Sequence, residues 1–186
     1  MRVGLLGLQG AFLDHIPHLQ RCGVEHCIVR DRSALAAVDR MILPGGESTV
    51  MTKFLNEFGM LTPLQQRIED GMPVWGVCAG AILLARQVDD HDGALNVLPI
   101  SVTRNAYGRQ IASEQKAIDI PLWELKDYPA IFIRAPRIEH LENSVTVLAK
   151  CGHDPVFVFR NQIMATTFHP ELNRNDDRFH RYFLSL

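Results

Sequence analysis

The sequence predicts a single-domain α/β protein over residues 1–186, in which a mostly parallel sheet lies between two layers of helices. Its length of 186 residues is typical of one domain. Through the first half, short apolar runs alternate with amphipathic segments, which is the pattern of a parallel sheet with crossover helices. In the second half, strand-like runs follow one another with little helix between them, which predicts added antiparallel strands.

Gly and Pro residues divide the first half into alternating strands and helices. Four apolar runs predict strands, at residues 2–8, 25–30, 40–43 and 73–77. The other segments predict helices, at residues 11–22, 34–38, 49–58, 63–70 and 79–88. In the first helix, Phe12, Ile16 and Leu19 follow a helical spacing. Ser33 is suited to cap the second helix, and Pro63 is suited to begin the fourth.

The second half predicts short strands joined by turns, and then one closing helix. Strand-like runs lie at residues 95–104, 117–120, 130–133, 145–149, 156–160 and 163–168. Because so little helix separates them, these strands are expected to pair antiparallel on one side of the parallel sheet. Residues 176–186 predict a helix with Phe179, Tyr182 and Phe183 on one face.

The composition is that of an ordinary globular protein. Hydrophobic residues make up 47% of the chain and charged residues 22%, which excludes intrinsic disorder. The formal net charge of −2 argues against a nucleic-acid partner, which needs a basic surface. No apolar run reaches the roughly 18 residues of a membrane span, and the first residues are too short an apolar run for a signal peptide. We therefore expect a cytoplasmic protein without nucleic-acid or membrane partners.

Four cysteines are expected to be free thiols in a reducing compartment: Cys22, Cys27, Cys78 and Cys151. Their spacing gives no paired C-x-x-C zinc pattern. Cys22, His26 and Cys27 lie close together in sequence. His15 and His18 are one helical turn apart, but neither group has a second pair of ligands. We therefore predict no metal or cofactor, and we expect partly buried thiols and surface histidines.

The strongest local motif is Gly76-Val77-Cys78-Ala79-Gly80, which lies between a predicted strand and a predicted helix. Sharp strand-to-helix turns of this kind expose a nucleophile above the sheet, and small flanking residues avoid clashes there. The positive partial charge at a helix N-terminus also favours a thiolate. Taken singly, the motif is equally consistent with a buried cysteine at the end of a core strand.

A second motif, His169-Pro170-Glu171, follows the last predicted strand. In an extended chain, residues two apart point to the same side, so His169 and Glu171 face one direction. A carboxylate beside an imidazole fixes its tautomer and leaves the other ring nitrogen free to take a proton. The triplet is weak by itself, but together with Cys78 it supplies a nucleophile, a base and an orienting carboxylate.

The third motif is the loop Pro44-Gly45-Gly46-Glu47-Ser48-Thr49, which also follows a predicted strand. Adjacent glycines allow the backbone to approach a ligand closely and direct N–H groups at it. We predict that the N–H groups of Gly46 and Ala79 form an oxyanion hole. A phosphate-binding loop is the rival interpretation, but the G-x-x-x-x-G-K-[ST] pattern is missing. A plain turn is the simplest alternative.

These three motifs together resemble class I, triad-type glutamine amidotransferase domains. Further strings narrow the resemblance to one family: Gly7-Leu8-Gln9-Gly10, R-N-A-Y-G-R-Q at residues 104–110, and F-I-R-A-P at residues 132–136. In this order, and over nearly the whole chain, the set is similar to the glutaminase subunits of pyridoxal phosphate synthase, the PdxT family.

The resemblance implies a flavodoxin-like three-layer αβα fold and hydrolysis of L-glutamine to L-glutamate and ammonia through a cysteinyl thioester. It implies that the ammonia passes to a PdxS-type synthase barrel in a large hetero-oligomer. By motif, Cys78 corresponds to the nucleophile, and His169 with Glu171 completes the triad. The residues implied to line the substrate site are Gly46, Glu47, Ser48, Arg104, Ile133 and Arg134. Gln9 lies at the carboxyl edge of the predicted sheet. We expect Gln9 to sense the partner there and to hold the Gly45–Gly46 peptide in place.

Three alternatives remain at the level of sequence. An amidotransferase of another pathway, such as imidazole-glycerol-phosphate synthesis, has the same Cys–His–Glu chemistry but is disfavoured by the last two strings. A non-catalytic DJ-1-like protein also carries a cysteine on a sharp turn, but it does not need the His-Pro-Glu motif. A partner subunit whose glutaminase is silent keeps the triad residues in a misaligned arrangement.

Overall fold

The computed structural model describes residues 1–104 and 113–186. Within these residues the strands are, in chain order, β1 (Arg2–Leu6), β2 (Glu25–Val29), β3 (Arg40–Leu43), β4 (Val74–Val77), β5 (Ala85–Val88), β6 (His91–Asp92), β7 (Leu98–Thr103), β8 (Glu114–Ile120), β9 (Leu125–Phe132), β10 (Arg137–Leu141), β11 (Thr146–Cys151), β12 (Asp154–Arg160) and β13 (Ile163–Thr166). The α-helices are α1 (Ile16–Arg21), α2 (Arg32–Ala36), α3 (Ser48–Glu57), α4 (Leu61–Glu69), α5 (Ala79–Leu84) and α6 (Arg178–Ser185).

The described strands form a central seven-stranded sheet in the order β11-β12-β13-β4-β3-β1-β2. Strands β2, β1, β3, β4 and β13 run parallel, and β12 and β11 add antiparallel strands beyond β13. The parallel part has the 2-1-3-4-5 order of a flavodoxin-like sheet. The predicted fold class is therefore confirmed, and β12 and β11 are antiparallel strands of the C-terminal half. The expectation of antiparallel pairing is wrong for the run at residues 163–168, because β13 joins the central sheet parallel to β4.

Two apolar clusters lie on opposite faces of this sheet, because alternate side chains of a strand point to opposite sides. On β1, Val3 and Leu5 belong to one cluster and Leu6 to the other. Residues of α2, α3, α4 and α5 cover the Leu6 side. Residues of α1, α6 and the β8–β9 hairpin cover the Val3 side. The helices of the described chain are all shorter or more polar than a membrane crossing requires.

The closing helix α6 packs by the face that the sequence predicts. Phe179 and Phe183 are fully buried against Trp75, whereas Tyr182 lies at the edge of the cluster against Trp123. These aromatic contacts anchor the C-terminal helix on the strand that leads to Cys78. The backbone just before that residue is therefore held by tight packing.

The structure differs from the sequence prediction beyond Leu84. The helix predicted for residues 79–88 ends there, and β5 follows at once and pairs with β7 and β6 in a separate four-stranded sheet. Strand pairing supplies hydrogen bonds that the local sequence does not reveal. Strands β6 and β10 were not predicted, because short polar strands lack an apolar pattern. Asp31, rather than Ser33, caps α2, and Pro63 is the third residue of α4.

Candidate active site

Cys78 occupies a strained turn between β4 and α5. Its backbone has φ 49° and ψ −99°, a left-handed region that side-chain-bearing residues rarely adopt. The two flanking glycines make the turn sterically feasible. A Cβ on Gly80 would overlap the carbonyl oxygen of Leu43, and a Cβ on Gly76 would lie 2.6 Å from the Gly80 carbonyl. The backbone N–H of Cys78 donates to the carbonyl of Thr166 at 2.8 Å. The motif thus places the sulfur at the carboxyl edge of the sheet.

His169 and Glu171 follow β13, the strand that pairs with β4. Nδ1 of His169 lies 2.7 Å from Oε1 of Glu171, and both side chains are buried, with exposed fractions of 6% and 1%. Because a carboxylate only accepts, Nδ1 carries the proton and donates it. Cys78 is near enough to the same imidazole to raise its pKa, although Nε2 of His169 has no hydrogen-bond partner among the described residues. The Sγ of Cys78 lies 3.7 Å from the carbonyl oxygen of Ile133. The structure therefore brings the three predicted triad side chains together.

The ionisation of His169 and Glu171 is strongly coupled. Burial acts to lower the pKa of His169, but the adjacent Cys78 and Glu171 side chains outweigh it and raise the pKa to about 10. Burial acts to raise the pKa of Glu171, whereas the hydrogen bond from His169 and the nearby His15 lower it below the usual glutamate value. Near neutral pH the pair therefore exists as an imidazolium and a carboxylate.

The Gly45–Gly46 loop after β3 lies against the imidazole and against the loop after β1. A Cβ on Gly45 would overlap Cε1 of His169, so only glycine permits this approach. The carbonyl of Gly45 accepts a hydrogen bond from the N–H of Ala11 at 2.9 Å. The N–H of Glu47 donates to Oε1 of Gln9 at 2.8 Å. Two hydrogen bonds from the first loop thus hold the glycine loop.

A cavity of about 460 Å³ opens beside these groups. Every residue that the sequence predicts for the site lines it: Gln9, Gly46, Glu47, Ser48, Cys78, Ala79, Arg104, Ile133, Arg134, His169 and Glu171. Sequence reasoning missed Ala11, Asp14, Ile82 and Leu172, which also line the cavity. Helical spacing points to Ile82, which lies one turn after Cys78 on α5. No comparable signal identifies Asp14 or Leu172.

One arginine of the cavity, Arg104, is held by an ion pair with Asp89. Nε of Arg104 donates to Oδ2 of Asp89 at 2.6 Å, and its backbone N–H donates to Oδ1 at 2.8 Å. This two-point contact orients the guanidinium of Arg104 at the cavity wall. Arg134 has a positive φ of 41° directly after Ile133. Of the predicted R-N-A-Y-G-R-Q string, residues 105–110 lie outside the described residues.

The expectation of surface histidines is wrong for two residues. His15 and His18 are buried, with exposed fractions of 0% and 1%, because α1 packs against the sheet and against α6. Within residues 1–104 and 113–186, no group of three His, Cys, Asp or Glu side chains is arranged to hold a metal ion. All four cysteines are free thiols.

The fold and the cavity define an α/β protein of the class that carries a cysteine on a strand-to-helix turn, beside a His–Glu pair. The model of the SNO glutamine amidotransferase family matches residues 5–186. The chain therefore belongs to the SNO glutamine amidotransferase family.

Three full-length relatives are each named pyridoxal 5'-phosphate synthase subunit PdxT. The chain is 47% identical to that of Thermotoga neapolitana, 45% to that of Dehalococcoides mccartyi and 42% to that of Clostridium acetobutylicum. Each match covers 100% of this chain, and it covers 99%, 97% and 100% of the respective relatives. The resemblance inferred from the motifs is thereby confirmed.

Solved structures agree with this assignment. A crystal structure of a glutamine amidotransferase matches with a TM-score of 0.91 at 40% identity, over 98% of this chain and 97% of that chain. The structure of PurLQS from Thermotoga maritima matches with a TM-score of 0.75 at 14% identity, over 99% and 97% of the two chains. At this low identity, the match to PurLQS shows a shared fold only.

Proposed function

We propose that the chain, as one domain over residues 1–186, hydrolyses L-glutamine to L-glutamate and ammonia with Cys78, His169 and Glu171. The observation that carries this proposal is the cavity in which the sulfur, the buried His169–Glu171 pair and the Gly45–Gly46 loop meet. The imidazolium of His169 lies beside the sulfur of Cys78, the nucleophile of the proposed reaction. The proposal therefore gives the site a nucleophile and a proton donor side by side.

The reaction follows from this arrangement. The Cys78 sulfur attacks the side-chain amide carbon of glutamine, and the amide oxygen becomes an oxyanion. The N–H groups of Gly46 and Ala79 donate to that oxyanion; Ala79 is the first residue of α5, where helix N–H groups have no intrahelical partner. His169 gives its proton to the departing nitrogen, and the C–N bond breaks to release ammonia.

The second half of the reaction uses the same groups. His169, now neutral, takes a proton from water, and the resulting hydroxide attacks the thioester carbon. The C–S bond breaks, glutamate leaves, and the sulfur and the imidazolium are restored. Throughout, Glu171 holds the Nδ1–H of His169, so that Nε2 faces the reacting atoms.

The remaining cavity residues suit a zwitterionic substrate. The guanidinium groups of Arg104 and Arg134 provide bidentate partners for the α-carboxylate of glutamine. Glu47 supplies a negative charge for the α-ammonium group. Ser48 and Ile133 complete the wall of the cavity.

The free thiols fit a reducing compartment, and we place the reaction in the cytoplasm.

We further propose that the ammonia is delivered to a PdxS-type synthase barrel, with which the chain assembles into a large hetero-oligomer for vitamin B6 biosynthesis. The names of the full-length relatives support this part of the proposal, because each is a pyridoxal 5'-phosphate synthase subunit. Gln9 and Ala11 lie at the cavity and hold the glycine loop. A partner that docks at this edge therefore acts directly on the proposed oxyanion donor.

The test is glutamate release, measured with and without the synthase barrel, combined with labelling by a glutamine-like diazo-ketone. We expect Cys78→Ser to lose both glutaminase activity and labelling. Cys22→Ser and Cys151→Ser are matched controls, because burial raises the pKa of both thiols and keeps them protonated. Equal labelling of Cys22 or Cys151 in the folded protein contradicts the assignment. No glutamate release by wild type with the synthase contradicts the proposed function.

A further inference from the structure

A buried histidine of α1, His18, lies behind the segment that carries Glu171. The exposed fraction of His18 is 1%, and its ring stacks on that of His180 at 4.2 Å between centroids. A titratable ring inside a protein is costly unless its nitrogens have partners. The proposed reaction uses neither nitrogen of His18, so the two partners of this ring need an explanation of their own.

The first partner is the backbone of Glu171. Nε2 of His18 lies 2.9 Å from the carbonyl oxygen of Glu171. Since a carbonyl only accepts, Nε2 carries a proton and donates it. Glu171 belongs to the 3₁₀ segment Pro170–Leu172 and is 1% exposed. Water therefore has little access to replace this donor if it is lost.

The neighbouring carbonyls of this segment are satisfied locally. Those of His169 and Pro170 each accept a hydrogen bond from the backbone N–H three residues further on. The carbonyl of Glu171 instead accepts from His18, which is 153 residues away in the sequence. The contact therefore ties the segment that carries Glu171 to α1.

The second partner of His18 is Asp177, at the start of α6. Nδ1 of His18 lies 2.8 Å from Oδ1 of Asp177. Asp177 occupies the N-cap position of α6, but its side chain makes no capping hydrogen bond there. Aspartate at this position usually caps its own helix. Its carboxylate binds His18 and Arg21 instead.

Arg21 determines which atom supplies the proton between His18 and Asp177. Nη2 of Arg21 lies 2.6 Å from Oδ1 of Asp177 and 2.6 Å from the carbonyl oxygen of Arg174. These acceptors use both protons of Nη2, so none remains for Nδ1 of His18, 3.1 Å away. The hydrogen bonds from Arg21 and then from His18 lower the pKa of Asp177, although partial burial acts to raise it. Both ring nitrogens of His18 therefore donate, and the carboxylate balances the charge.

We propose that His18 is a positioning residue for the glutaminase reaction: held by Asp177, its Nε2–H fixes the backbone carbonyl of Glu171 and so keeps the Glu171 carboxylate at Nδ1 of His169. The inference rests on the proposed function. Oε1 of Glu171 lies 2.7 Å from Nδ1 of His169, and this hydrogen bond depends on where the backbone of Glu171 is held. A misplacement of about 1 Å in an active site can cost about 10²-fold in rate.

The arrangement repeats, one layer further from the cavity, the relation between Glu171 and His169. In each pair a carboxylate orients an imidazole at Nδ1, and Nε2 is left to face its target. The target of His169 is the reacting substrate, whereas the target of His18 is the carbonyl of Glu171. One peptide group thus joins the two pairs.

The test compares His18→Asn with His18→Gln in the complex with the synthase. The asparagine amide reaches the position of Nδ1, so it keeps the contact with Asp177 and loses that with Glu171. The glutamine amide reaches the position of Nε2 and keeps the donor to Glu171. We expect His18→Asn to lower kcat by about tenfold with little change in KM, and His18→Gln to retain most of kcat.

Leu19→Ala is the control for the packing of α1, because Leu19 is fully buried on that helix and has no polar group. It should lower the melting temperature and leave kcat unchanged at temperatures where the variant is folded. A separate measurement does not depend on turnover: proton NMR of the Nδ1–H of His169, assigned through its loss in His169→Gln. This resonance should move in His18→Asn and stay in place in His18→Gln.

Three results overturn the inference. One is a kcat of His18→Asn that is unchanged, or that falls no further than that of His18→Gln. Another is an unchanged Nδ1–H resonance of His169 in His18→Asn. The third needs no variant: nitrogen-15 NMR of wild type that finds no proton on Nε2 of His18. Wild type that releases no glutamate with the synthase contradicts the proposed function instead, and the two NMR measurements still decide the role of His18.

Discussion

Oε1 of Gln9 accepts a hydrogen bond from the backbone N–H of Glu47 at 2.8 Å. This contact joins the loop after β1 to the loop after β3, and a second contact, from the N–H of Ala11 to the carbonyl of Gly45, reinforces it. The Gly45–Gly46 peptide contains the N–H that we propose as an oxyanion donor. The orientation of this peptide therefore depends on residues of a different loop.

The first prediction concerns Gln9. We expect the synthase to raise kcat for glutamine hydrolysis by at least about tenfold, and we expect Gln9→Ala to weaken this gain. The alanine variant loses the acceptor for the Glu47 N–H, so the glycine loop is no longer held. Alkylation of Cys78 should remain, because the turn at Cys78 does not depend on Gln9.

Gln66→Ala serves as the matched control, because Gln66 is exposed on α4 and its amide contacts only Asp70 among the described residues. Stimulation by the synthase should be unchanged in this variant. Full glutaminase activity of the isolated chain contradicts the coupling to the partner, although it leaves the triad untouched.

Much of the site could be predicted because its residues follow parallel strands. Cys78 follows β4 and His169 follows β13, and the carboxyl ends of neighbouring parallel strands meet at one edge of the sheet. Gly45 and Gly46 follow β3 at that same edge. Local strand-turn patterns identified Cys78 and the glycine loop, whereas the sequence did not predict that the strand before His169 runs parallel to β4. The complementary chemistry of the motifs and the family resemblance joined them into one site.

The burial of His15, His18 and His180 could not be predicted in this way. His15 and His180 are 165 residues apart in the sequence, and their contact arises from the packing of α6 against the first helical segment. Nothing in the local pattern distinguishes a surface histidine from one that another helix covers. The end of α5 at Leu84 was missed for a similar reason, since the pairing of β5 with β7 is a tertiary contact.

A second prediction separates the roles of His169 and Glu171. His169→Ala removes the group that moves protons, so we expect kcat to fall by about 10²–10⁴-fold. Glu171→Gln keeps an oxygen for the Nδ1–H but loses the charge, so measurable activity should remain. His153→Ala, at an exposed turn, is the control. Two folded variants with equally little activity contradict this division of roles.

A third prediction concerns pH. The pKa of His169 is raised from 6.5 to about 10 in the folded protein, so the folded state binds this proton more tightly than the unfolded chain does. The resulting stabilisation is fully present below pH 6.5 and is lost as the pH rises through about 10. The difference in free energy of unfolding between wild type and His169→Gln should therefore shrink across this range in urea titrations.

Proton NMR of the imidazole measures the same effect directly. We expect the ring of His169 to remain protonated at neutral pH, and we expect Cys78→Ser to lower its pKa, because the sulfur contributes to the shift. His153→Gln, at an exposed turn, is the control for the loss of an imidazole. A ring that titrates near its ordinary value in wild type contradicts the proposed ion pair.

The last prediction concerns Arg104 and Asp89, which form a hydrogen-bonded ion pair at the wall of the cavity. We expect Arg104→Ala to raise KM for glutamine by about tenfold, because a charge-assisted hydrogen bond to the substrate carboxylate is lost. Asp89→Asn should give a smaller increase in KM, because the guanidinium of Arg104 remains but is held less firmly in its orientation. Arg134→Ala should also affect substrate handling more than folding.

Melting temperature separates this role from a structural one. The exposed fractions of the Arg104 and Asp89 side chains are 35% and 32%, and ion pairs with this access to water contribute little to stability. We therefore expect both variants to melt close to wild type. Arg86→Ala is the matched control, because Arg86 pairs with Glu142 away from the cavity and its loss should leave KM unchanged. If the melting temperature of Arg104→Ala falls by several degrees while KM is unchanged, the Arg104–Asp89 pair has a structural role and the prediction is wrong.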